Sequence, residues 1–481
     1  MALTLKKAGF EAYFVGGCVR DLLLNKKPKD WDVTTNATPE KIIALFPKTF
    51  YENPYGTVGV VNEGEGIDES LKVVEVTPYR LESGYSDNRR PDSVTFSKKL
   101  EDDLQRRDFT INAMALAPET GELVDLYEGK SDLAKKIIKT VGQPEERFIE
   151  DALRLLRAVR FSAELGFEIE SATEKAIADN ANLLKNISKE RIRDEFAKII
   201  MSAEPKRGLE LARKFHILEY ISLDLEKSAG VLQGGIHKYD VFEHLLRALQ
   251  HAADKNWPLE VRLAALFHDI GKPATRRGPE KRPEGDKWTF YGHEVVGAKM
   301  AKKILADLKF PKELVEKVTK LIRWHMFFSD TEQITPSAVR RLVANVGPEN
   351  IWTLMDVRAA DRIGTGRPKE SPYRLRKYHA MIEEVMRDPI SVGMLKIDGK
   401  GIMEATKTSP GPHIGHILHA LLEEVIENPE KNTLEYLENR ATELAKLPEK
   451  ALKALGDQGK AVKEEEDEKK VGEIRKKHWV E

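Results

Sequence analysis

Residues 14–32 read FVGGCVRDLLLNKKPKDWD, and this stretch places two aspartates shortly after two glycines and an arginine. Asp30 and Asp32 flank a tryptophan, and a β-strand would point both carboxylates to the same face. Carboxylates held together are the hard oxygen ligands that Mg²⁺ prefers, and phosphate oxygens can complete its coordination. Two such ions stabilise the attacking and leaving oxygens of a phosphoryl displacement. The stretch therefore predicts a catalytic magnesium site, with an acidic turn of no catalytic role as the alternative.

The glycines upstream of the aspartates fit the same chemistry. Gly16 and Gly17 end the apolar run AYFV, and their backbone N–H groups can cradle a phosphate. Arg20, just inside the following helix, carries a guanidinium that can fork onto a triphosphate. An ordinary Gly-Gly turn with a surface pair between Arg20 and Asp21 is the alternative. Together with the aspartates, these residues indicate a site for a nucleoside triphosphate.

GGCVRD followed by DWD resembles the signature of the polymerase-β-type nucleotidyltransferases, and more narrowly of the class II tRNA nucleotidyltransferase and poly(A) polymerase family. RRDFTINA, at 106–113, is similar to the family motif that contacts the ribose of the nucleotide. The resemblance implies that Arg107, Asp108 and Asn112 bind the nucleotide. We expect Asp108 and Asn112 to share a helix face, where the carboxylate can accept from both ribose hydroxyls and select ribonucleotides.

EDALRLLRAVRF, at 150–161, resembles the family motif that reads the nucleobase. The resemblance implies that Asp151 and Arg154, expected to be neighbours on a helix, form an acceptor–donor pair for the Watson–Crick edge of cytosine or adenine. Arg157 and Arg160 continue at three-residue steps, which keeps these arginines within roughly a third of the helix circumference. An amphipathic helix with a basic outer face is the alternative. The other side is expected to pack through the apolar residues Leu153, Leu156, Val159 and Phe161.

One further carboxylate and one helix belong to this part of the chain. Glu75, in the strand-like run KVVEVTP, is the local candidate for a third acidic residue near the metals, and an ordinary edge-strand glutamate is the alternative. KERIRDEFAKII, at 189–200, resembles a family helix that braces the base-reading motif. We interpret this helix as structural.

Histidine and aspartate residues form a second constellation, although the chain has only 12 histidines. The order H…HD…H…H…D, with HDIGK as its specific part, resembles the HD-type metal-dependent phosphohydrolases over about residues 230–365. Imidazoles and carboxylates inside a helical bundle bind transition metals such as Ni, Mn, Co, Fe or Zn. Histidines packed in a core without metal are the alternative. The predicted ligands are His244, His268, Asp269 and Asp361, with His293 and His325 as additional candidates.

The pattern of apolar residues changes along the chain. Short β-rich runs alternate with helical runs as far as about residue 140, and long helical periods follow from Pro144 onward. We predict an α/β polymerase-β-like nucleotidyltransferase head followed by an all-α body that includes an HD-type helical domain. The predicted strands are 12–17, 57–61, 71–80 and 122–127, and the predicted helices of the head are 19–25 and 38–46. The predicted segments are the catalytic head 1–140, the helical nucleobase-recognition and RNA-binding region 141–229, the HD-type domain 230–365, the helical tRNA-binding region 366–455 and the charged tail 456–481.

Bulk composition limits the partners and the compartment. The chain has 78 basic and 79 acidic residues, so RNA would be held by local basic patches and not by overall charge. A single cysteine, Cys18, excludes an internal disulfide and favours a reducing compartment. The start, MALTLKKAGF, lacks the apolar core of a signal peptide. The sequence also contains no apolar run of about 18 residues, the length that a membrane-spanning helix needs. We expect a cytoplasmic protein, with its oligomeric state left open.

The resemblance implies template-independent addition of CCA to the tRNA 3′ end from CTP and ATP. The segment 79–96, YRLESGYSDNRRPDSVTF, is predicted to be a mobile loop that in the family accompanies the switch from C to A addition. It favours full CCA or A-only addition over CC-only addition, and the absence of a strongly basic C-terminal extension argues against a poly(A) polymerase. HD domains of such enzymes can also hydrolyse 2′,3′-cyclic phosphates and 2′-phosphates. An HD phosphohydrolase with a sensor nucleotide-binding module and a non-catalytic RNA-binding scaffold remain as alternatives.

Overall fold

Two units divide the chain in the computed structural model, which describes residues 1–52, 55–64, 66–84, 93–234, 237–280, 287–327 and 333–456. Unit 1 consists of Met1–Thr319 with Gly364–Gly366, and unit 2 of Lys320–Ile363 with Arg367–Glu481. No helix among the described residues combines the length and the apolar character that a membrane crossing requires.

A mixed sheet forms the centre of the head in unit 1. The strands of the head are β1 (Ala12–Val15), β2 (Asp32–Thr35), β3 (Thr49–Tyr51), β4 (Val58–Val61), β5 (Val73–Pro78), β6 (Arg80–Ser83), β7 (Ser93–Phe96), β8 (Met114–Leu116) and β9 (Leu123–Asp125). Seven of them are ordered β3-β4-β5-β2-β1-β8-β9, while β6 and β7 pair separately. Only the β2–β5 pair in this sheet is parallel, and it brings Asp32 into register with Glu75.

Helices cover both faces of this sheet. The helices of the head are α1 (Ala2–Lys7), α2 (Gly17–Leu23), α3 (Pro39–Leu45), α4 (Leu100–Gln105) and α5 (Gly129–Lys135). Strand β5 alternates, because Val74 and Val76 are buried in a cluster with Leu5 and Ile42 while Glu75 faces away. A second cluster around Tyr79 and Leu104 covers the opposite face.

The rest of unit 1 is almost entirely helical. Its helices are α6 (Pro144–Glu150), α7 (Leu153–Leu165), α8 (Ser171–Asn180), α9 (Lys189–Met201), α10 (Pro205–Lys214), α11 (Leu218–Ile221), α12 (Leu223–Glu226), α13 (Val241–Asp254), α14 (Leu259–Phe267), α15 (Lys272–Thr275), α16 (His293–Asp307) and α17 (Lys312–Trp324), the last of which runs into unit 2. Two short strand pairs, β10 (Ile137–Ile138) with β11 (Glu168–Ile169) and β12 (Arg277–Glu280) with β13 (Lys287–Thr289), interrupt them. A Cβ at Gly271 would lie 2.3 Å from the carbonyl oxygen of His293, so glycine permits the close approach of α15 to α16.

In unit 2, all regular secondary structure among the described residues is helical. Its further helices are α18 (Pro336–Val346), α19 (Ile351–Gly364), α20 (Tyr373–Val385), α21 (Gly399–Thr406), α22 (Pro412–Glu427), α23 (Leu434–Leu444) and α24 (Glu449–Gly456). Helix α22 supplies Ile417, Leu421 and Val425 to a core that it shares with α21, α23 and α24. The buried Arg340 donates to the carbonyl oxygen of Ile426 at 2.6 Å and to Asp388 at 2.8 Å, which ties α18 to this core.

The predicted fold class, an α/β head followed by a helical body, is confirmed, but several boundaries differ. Helix α2 begins at Gly17 and not at residue 19, because Gly16, with φ of 79°, makes the turn directly before it. The ends of the predicted mobile loop form β6 and β7, and its residues 85–92 lie outside the described part of the chain. So does most of the predicted charged tail, 457–481. The division into five segments stays a prediction.

Candidate active site

Three carboxylates meet at the edge of β2. Asp32 is the first residue of this strand, and Glu75 is its register partner on β5. The expectation that Asp30 also lies on the strand is wrong, because β2 begins only at Asp32. Burial, with a smaller contribution from Asp30, raises the pKa of Asp32 to about 6 against the opposing charge of Arg107. Burial, Asp32, Glu52 and Asp30 together raise the pKa of Glu75 to about 7. Burial is the larger cause of both shifts and the neighbouring carboxylates the smaller one, and the donor set of carboxylate oxygens fits hard divalent cations.

A turn and the first residues of α2 form the wall beside these acids. Gly16 adopts a positive φ, which favours glycine, and a Cβ there would lie in tight contact, 3.0 Å from Nη1 of Arg107. Arg20, on α2, is 9 % exposed and donates to the carboxylate of Asp21 at 2.7 Å and to Oδ1 of Asn112 at 3.0 Å. Two arginines thus lie beside the glycine turn that was predicted to hold phosphates.

The ribose motif is not the helix that we expected. Phe109 is extended, and a short 3₁₀ turn covers Thr110–Asn112. Asp108 and Asn112 are nevertheless joined, since the amide of Asn112 donates to Oδ1 of Asp108 at 3.3 Å. Nε of Arg157 donates to Oδ2 of Asp108 at 2.7 Å. Burial opposes ionisation of Asp108, but the Arg157 guanidinium outweighs it and holds the pKa of that carboxyl below its ordinary value.

The side chains of the two predicted base-reading residues, Asp151 and Arg154, bind different partners. Helix α6 ends at Glu150 and α7 begins at Leu153, so Asp151 lies in the break and the expected position on a helix is wrong. The carboxylate of Asp151 accepts from Arg191 at 2.7 Å, and Nη1 of Arg154 donates to Glu150 at 2.6 Å. Neither Asp151 nor Arg154 lines the cavity that the other motif residues share.

One open cavity of about 650 Å³ collects these groups. The predicted residues that line it are Gly17, Arg20, Asp30, Asp32, Arg107, Asp108, Asn112, Arg157 and Arg160. Sequence reasoning missed the cavity residues Lys26, Lys29, Lys198 and Met201. The last two belong to α9, which we interpreted as purely structural. Charge spacing along a helix does not reveal which of its faces meets a distant cavity, so the sequence carried no signal for them.

Phe161 also lines the cavity, contrary to the expectation that it packs on the side opposite the arginines. Three guanidiniums surround its ring, with Cζ of Arg160 at 4.3 Å from the ring centroid and Cζ of Arg20 and Arg157 each at 5.3 Å. Its neighbour Phe109 meets the ring edge-on, with centroids 5.7 Å apart. Residue Phe161 therefore faces the basic wall of the cavity.

Asp32 and Glu75 should make the stability of the chain depend on pH. Their folded-state pKa values, about 6 and about 7, exceed the ordinary 3.8 and 4.5, so the folded chain keeps protons that the unfolded chain releases. Stability from this pair is therefore fully present only below these ordinary values, and it is lost progressively as the pH rises through the folded-state values of about 6 and about 7. We expect 10 mM Mg²⁺ to raise Tm by about 2 °C near pH 7.5 and by much less near pH 5, measured by calorimetry.

The control for this experiment is Glu75→Gln, which removes one of the two acids. In that variant the difference between the two Mg²⁺-induced Tm shifts should become smaller. Equal shifts at both pH values in the unaltered chain would contradict the assignment of a divalent cation to these carboxylates.

A second group of titratable side chains surrounds Asp269 in unit 1. Asp269 is 2 % exposed, and Nε2 atoms of three histidines converge on its carboxylate: His244 at 3.1 Å, His268 at 3.3 Å and His293 at 3.1 Å. Nδ1 of His268 lies 2.8 Å from the carbonyl oxygen of Ala265, which suits an Nδ1–H donor and directs Nε2 toward the acid. Three imidazole nitrogens around one carboxylate are a donor set that fits a transition metal.

Lys272 occupies the remaining side of this group. Its ammonium lies 2.5 Å from Oδ2 of Asp269 and donates to Gln233 at 2.6 Å. Burial opposes ionisation of Asp269, but Lys272 and His268 outweigh it and hold the pKa of the carboxyl well below its ordinary value. The acid is therefore ionised, as a metal ligand must be.

Two of the predicted ligands belong to unit 2. Asp361, on α19, accepts from Nη1 of Arg358 at 2.8 Å. Nδ1 of His325 lies 2.7 Å from the carbonyl oxygen of Ile322, the same backbone arrangement that His268 has. As ligands, Asp361 and His325 stay predictions.

Comparisons with known proteins agree with this geometry. Three family models match the chain: the poly A polymerase head domain over residues 12–139, the probable RNA and SrmB-binding site of polymerase A over 166–228, and the HD domain over 241–365. The chain is 34% identical to the CCA-adding enzyme of Lactiplantibacillus plantarum over 430 residues, which cover 88% of this chain and 90% of that protein. It is 35% identical to the CCA-adding enzyme of Lactobacillus helveticus over 443 residues, with 92% and 95% covered.

Solved structures of CCA-adding enzymes are also similar to this chain. The Bacillus stearothermophilus CCA-adding enzyme in complex with CTP superimposes with a TM-score of 0.68 at 31% identity, covering 92% of this chain and 97% of that one. The Thermotoga maritima CCA-adding enzyme complexed with tRNA, at 20% identity and a TM-score of 0.54, shares the fold. The chain belongs to the family of CCA-adding enzymes and carries an HD domain in addition to its nucleotidyltransferase head.

Proposed function

We propose that this protein is a tRNA nucleotidyltransferase that adds CCA to the 3′ end of tRNA, using CTP and ATP, in the cytoplasm. The observation that carries the proposal is the single cavity in which carboxylates, the glycine turn and several arginines meet. Relatives named CCA-adding enzymes, aligned along almost the whole chain, support the same reaction. One relative was solved with CTP and another with tRNA.

Each group in the cavity has a role in this reaction. Asp30 and Asp32, with Glu75 beside them, would hold divalent ions, Mg²⁺ in our proposal, which when bound supply positive charge to the attacking and leaving oxygens. The guanidiniums of Arg20, Arg107, Arg157 and Arg160 neutralise the triphosphate and orient it in line with the tRNA 3′-hydroxyl. Their positive charge also stabilises the pyrophosphate that leaves.

Selection of the nucleotide needs contacts to both the sugar and the base. The ionised Asp108, fixed by Asn112, accepts hydrogen bonds from the ribose hydroxyls. We assign base reading to Asp151 and Arg154, which at present bind Arg191 and Glu150. Reading cytosine or adenine would then require these two side chains to exchange their protein partners for the base edge.

The test of the proposed function is incorporation into a tRNA that ends at the discriminator base. The purified chain is incubated with labelled CTP alone, with ATP alone and with both nucleotides. We expect two C residues from CTP alone, and C, C, A in order from both. Incorporation of A only onto a tRNA that already ends in CC would show an A-adding enzyme, two C without A would show a CC-adding enzyme, and a long A tail would show a poly(A) polymerase.

A second activity is favoured by the convergence of three imidazoles on Asp269. We propose that this group binds a transition metal such as Ni, Mn, Co, Fe or Zn and hydrolyses 2′,3′-cyclic phosphates or 2′-phosphates. Asp361 stays a further ligand predicted from the sequence. A metal bound there would supply a hydroxide-like water near neutral pH. The buried ammonium of Lys272 adds positive charge for a phosphate oxygen. Such an activity suits repair of RNA ends before CCA addition.

A further inference from the structure

Phe161 is a cavity residue to which the proposed function assigns no role. Phe161 is 4 % exposed, and it lies on α7 directly after Arg160 and one turn after Arg157. Guanidiniums of Arg20, Arg157 and Arg160 lie 4.3–5.3 Å from the centroid of its ring. All three distances are within the range of about 6 Å over which a cation is attracted to an aromatic face.

The three arginines have the same kind of environment, although they come from two separate helices. Each guanidinium is bound to a carboxylate as well as lying near the ring. The pairs are Arg20 with Asp21 at 2.7 Å, Arg157 with Asp108 at 2.5 Å and Arg160 with Glu195 at 3.2 Å. Ring and carboxylates together therefore determine where these three cations lie.

Three like charges around one side chain repel each other, and among the described residues the ion pair of each arginine is with a different carboxylate. The ring of Phe161 is a contact that all three share, and its negative π face attracts each of them. A guanidinium carries five N–H donors, and Arg20 uses three in its bonds to Asp21 and Asn112. The arrangement thus holds the cations in place and leaves N–H groups of Arg20 available to a ligand in the cavity.

We propose that Phe161 is a positioning residue that orients Arg20, Arg157 and Arg160 for the triphosphate before the nucleotide arrives. The inference rests on the proposed function, because that function assigns the triphosphate to these arginines. Cations held in place beforehand need no reorganisation when the anion binds, so affinity for the phosphates should depend on the ring.

The test is Phe161→Leu, which keeps an apolar side chain in the same position but removes the π face. We expect KM for both CTP and ATP to rise roughly tenfold, with kcat changed less than about threefold and KM for tRNA unchanged. The inhibition constant of pyrophosphate should rise in parallel, because pyrophosphate presents the same phosphates. Affinity for CMP, which lacks them, should stay within about twofold.

Two further variants separate positioning from packing. Phe161→Tyr keeps the aromatic face and should restore KM for CTP to near the unaltered value. Phe196→Leu removes a similarly buried ring on α9, which lies 6.5 Å from the ring of Phe310 and does not line the cavity. It should lower Tm about as much as Phe161→Leu and leave KM for CTP unchanged.

An unchanged KM for CTP and an unchanged pyrophosphate inhibition constant in Phe161→Leu would overturn the inference. An equal rise of KM in Phe196→Leu would also overturn it, since general loss of packing would then explain both. If the unaltered chain failed to extend tRNA, that result would instead contradict the proposed function. In that case calorimetric titration of CTP and CMP into the unaltered chain and Phe161→Leu still decides the role of the ring.

Discussion

Asp32→Asn is expected to lower the rate of C and A incorporation by on the order of 1,000-fold while leaving the chain folded. Asp32 opens β2, is paired in register with Glu75 and lines the cavity, so its neutral amide replaces a charge at the centre of the proposed cation site. Positive charge supplied by divalent cations is worth several kcal/mol to a phosphoryl transfer, and each 1.36 kcal/mol corresponds to tenfold in rate. Single-turnover incorporation with saturating CTP and tRNA measures the effect.

The matched control is Asp68→Asn, another aspartate of the head. Asp68 is partly exposed, accepts from the N–H of Ser70 and pairs with Lys27, so its replacement should change the rate less than about twofold. A residual rate above a tenth of the unaltered rate in Asp32→Asn, with a folded chain, would contradict the carboxylate assignment.

Asp269→Asn should remove the metal from the HD domain without affecting CCA addition. The carboxylate is the common neighbour of His244, His268 and His293, so the amide should reduce a tightly bound transition metal from about one to less than about a tenth per chain. Hydrolysis of 2′,3′-cyclic nucleotides should fall at least about 100-fold, because loss of a metal ligand costs more than the 10- to 100-fold typical of its hydrogen-bonding partners. Elemental analysis and a phosphate-release assay measure the two effects.

Two further variants, His293→Gln and Asp307→Asn, complete this experiment. In Asp269→Asn the buried Lys272, 5 % exposed, still has the amide oxygen as a hydrogen-bond acceptor, so this variant should fold. If it unfolds, His293→Gln removes a different predicted ligand and allows the same measurement of metal content. The surface control Asp307→Asn removes only a pair with Lys303 on α16. Unchanged metal content in both cluster variants would overturn the metal assignment, while unchanged hydrolysis with lost metal would leave the metal a structural role.

Sequence alone predicted which residues lie together wherever a motif is short. Asp30, Asp32 and Arg20 lie within one stretch, so a turn and a strand suffice to bring them to the same edge of the sheet. Glu75 was found from local alternation, but its pairing with Asp32 depends on the parallel β2–β5 register, which forms between strands about 40 residues apart. Such a register is decided by burial of both strands and is not readable from either one.

Helical periodicity misled us where the chain departs from a regular helix. Asp151 lies in the break between α6 and α7, where it caps the new helix by accepting from the N–H of Leu153 at 3.1 Å. Aspartate favours such positions over a helix interior because its side chain competes for backbone N–H groups. The expectation that Phe161 lies opposite the arginines misapplied the helical period, because positions 157 and 161 are one turn apart on α7 and share a face.

The cavity described above is built from residues 16–203, so it extends well past the α/β sheet. A fragment that stops near residue 140 would keep Asp30 and Asp32 but would lose Arg157, Arg160 and the α9 residues of the opposite wall. The sheet alone therefore does not contain the whole site. A fusion, truncation or domain exchange that is meant to retain the nucleotidyltransferase activity must include the chain through at least residue 203. Recombination at the junction between sheet and helices would separate the carboxylates of the metal site from the arginines that hold the triphosphate, and should yield hybrids that fold but do not catalyse the reaction.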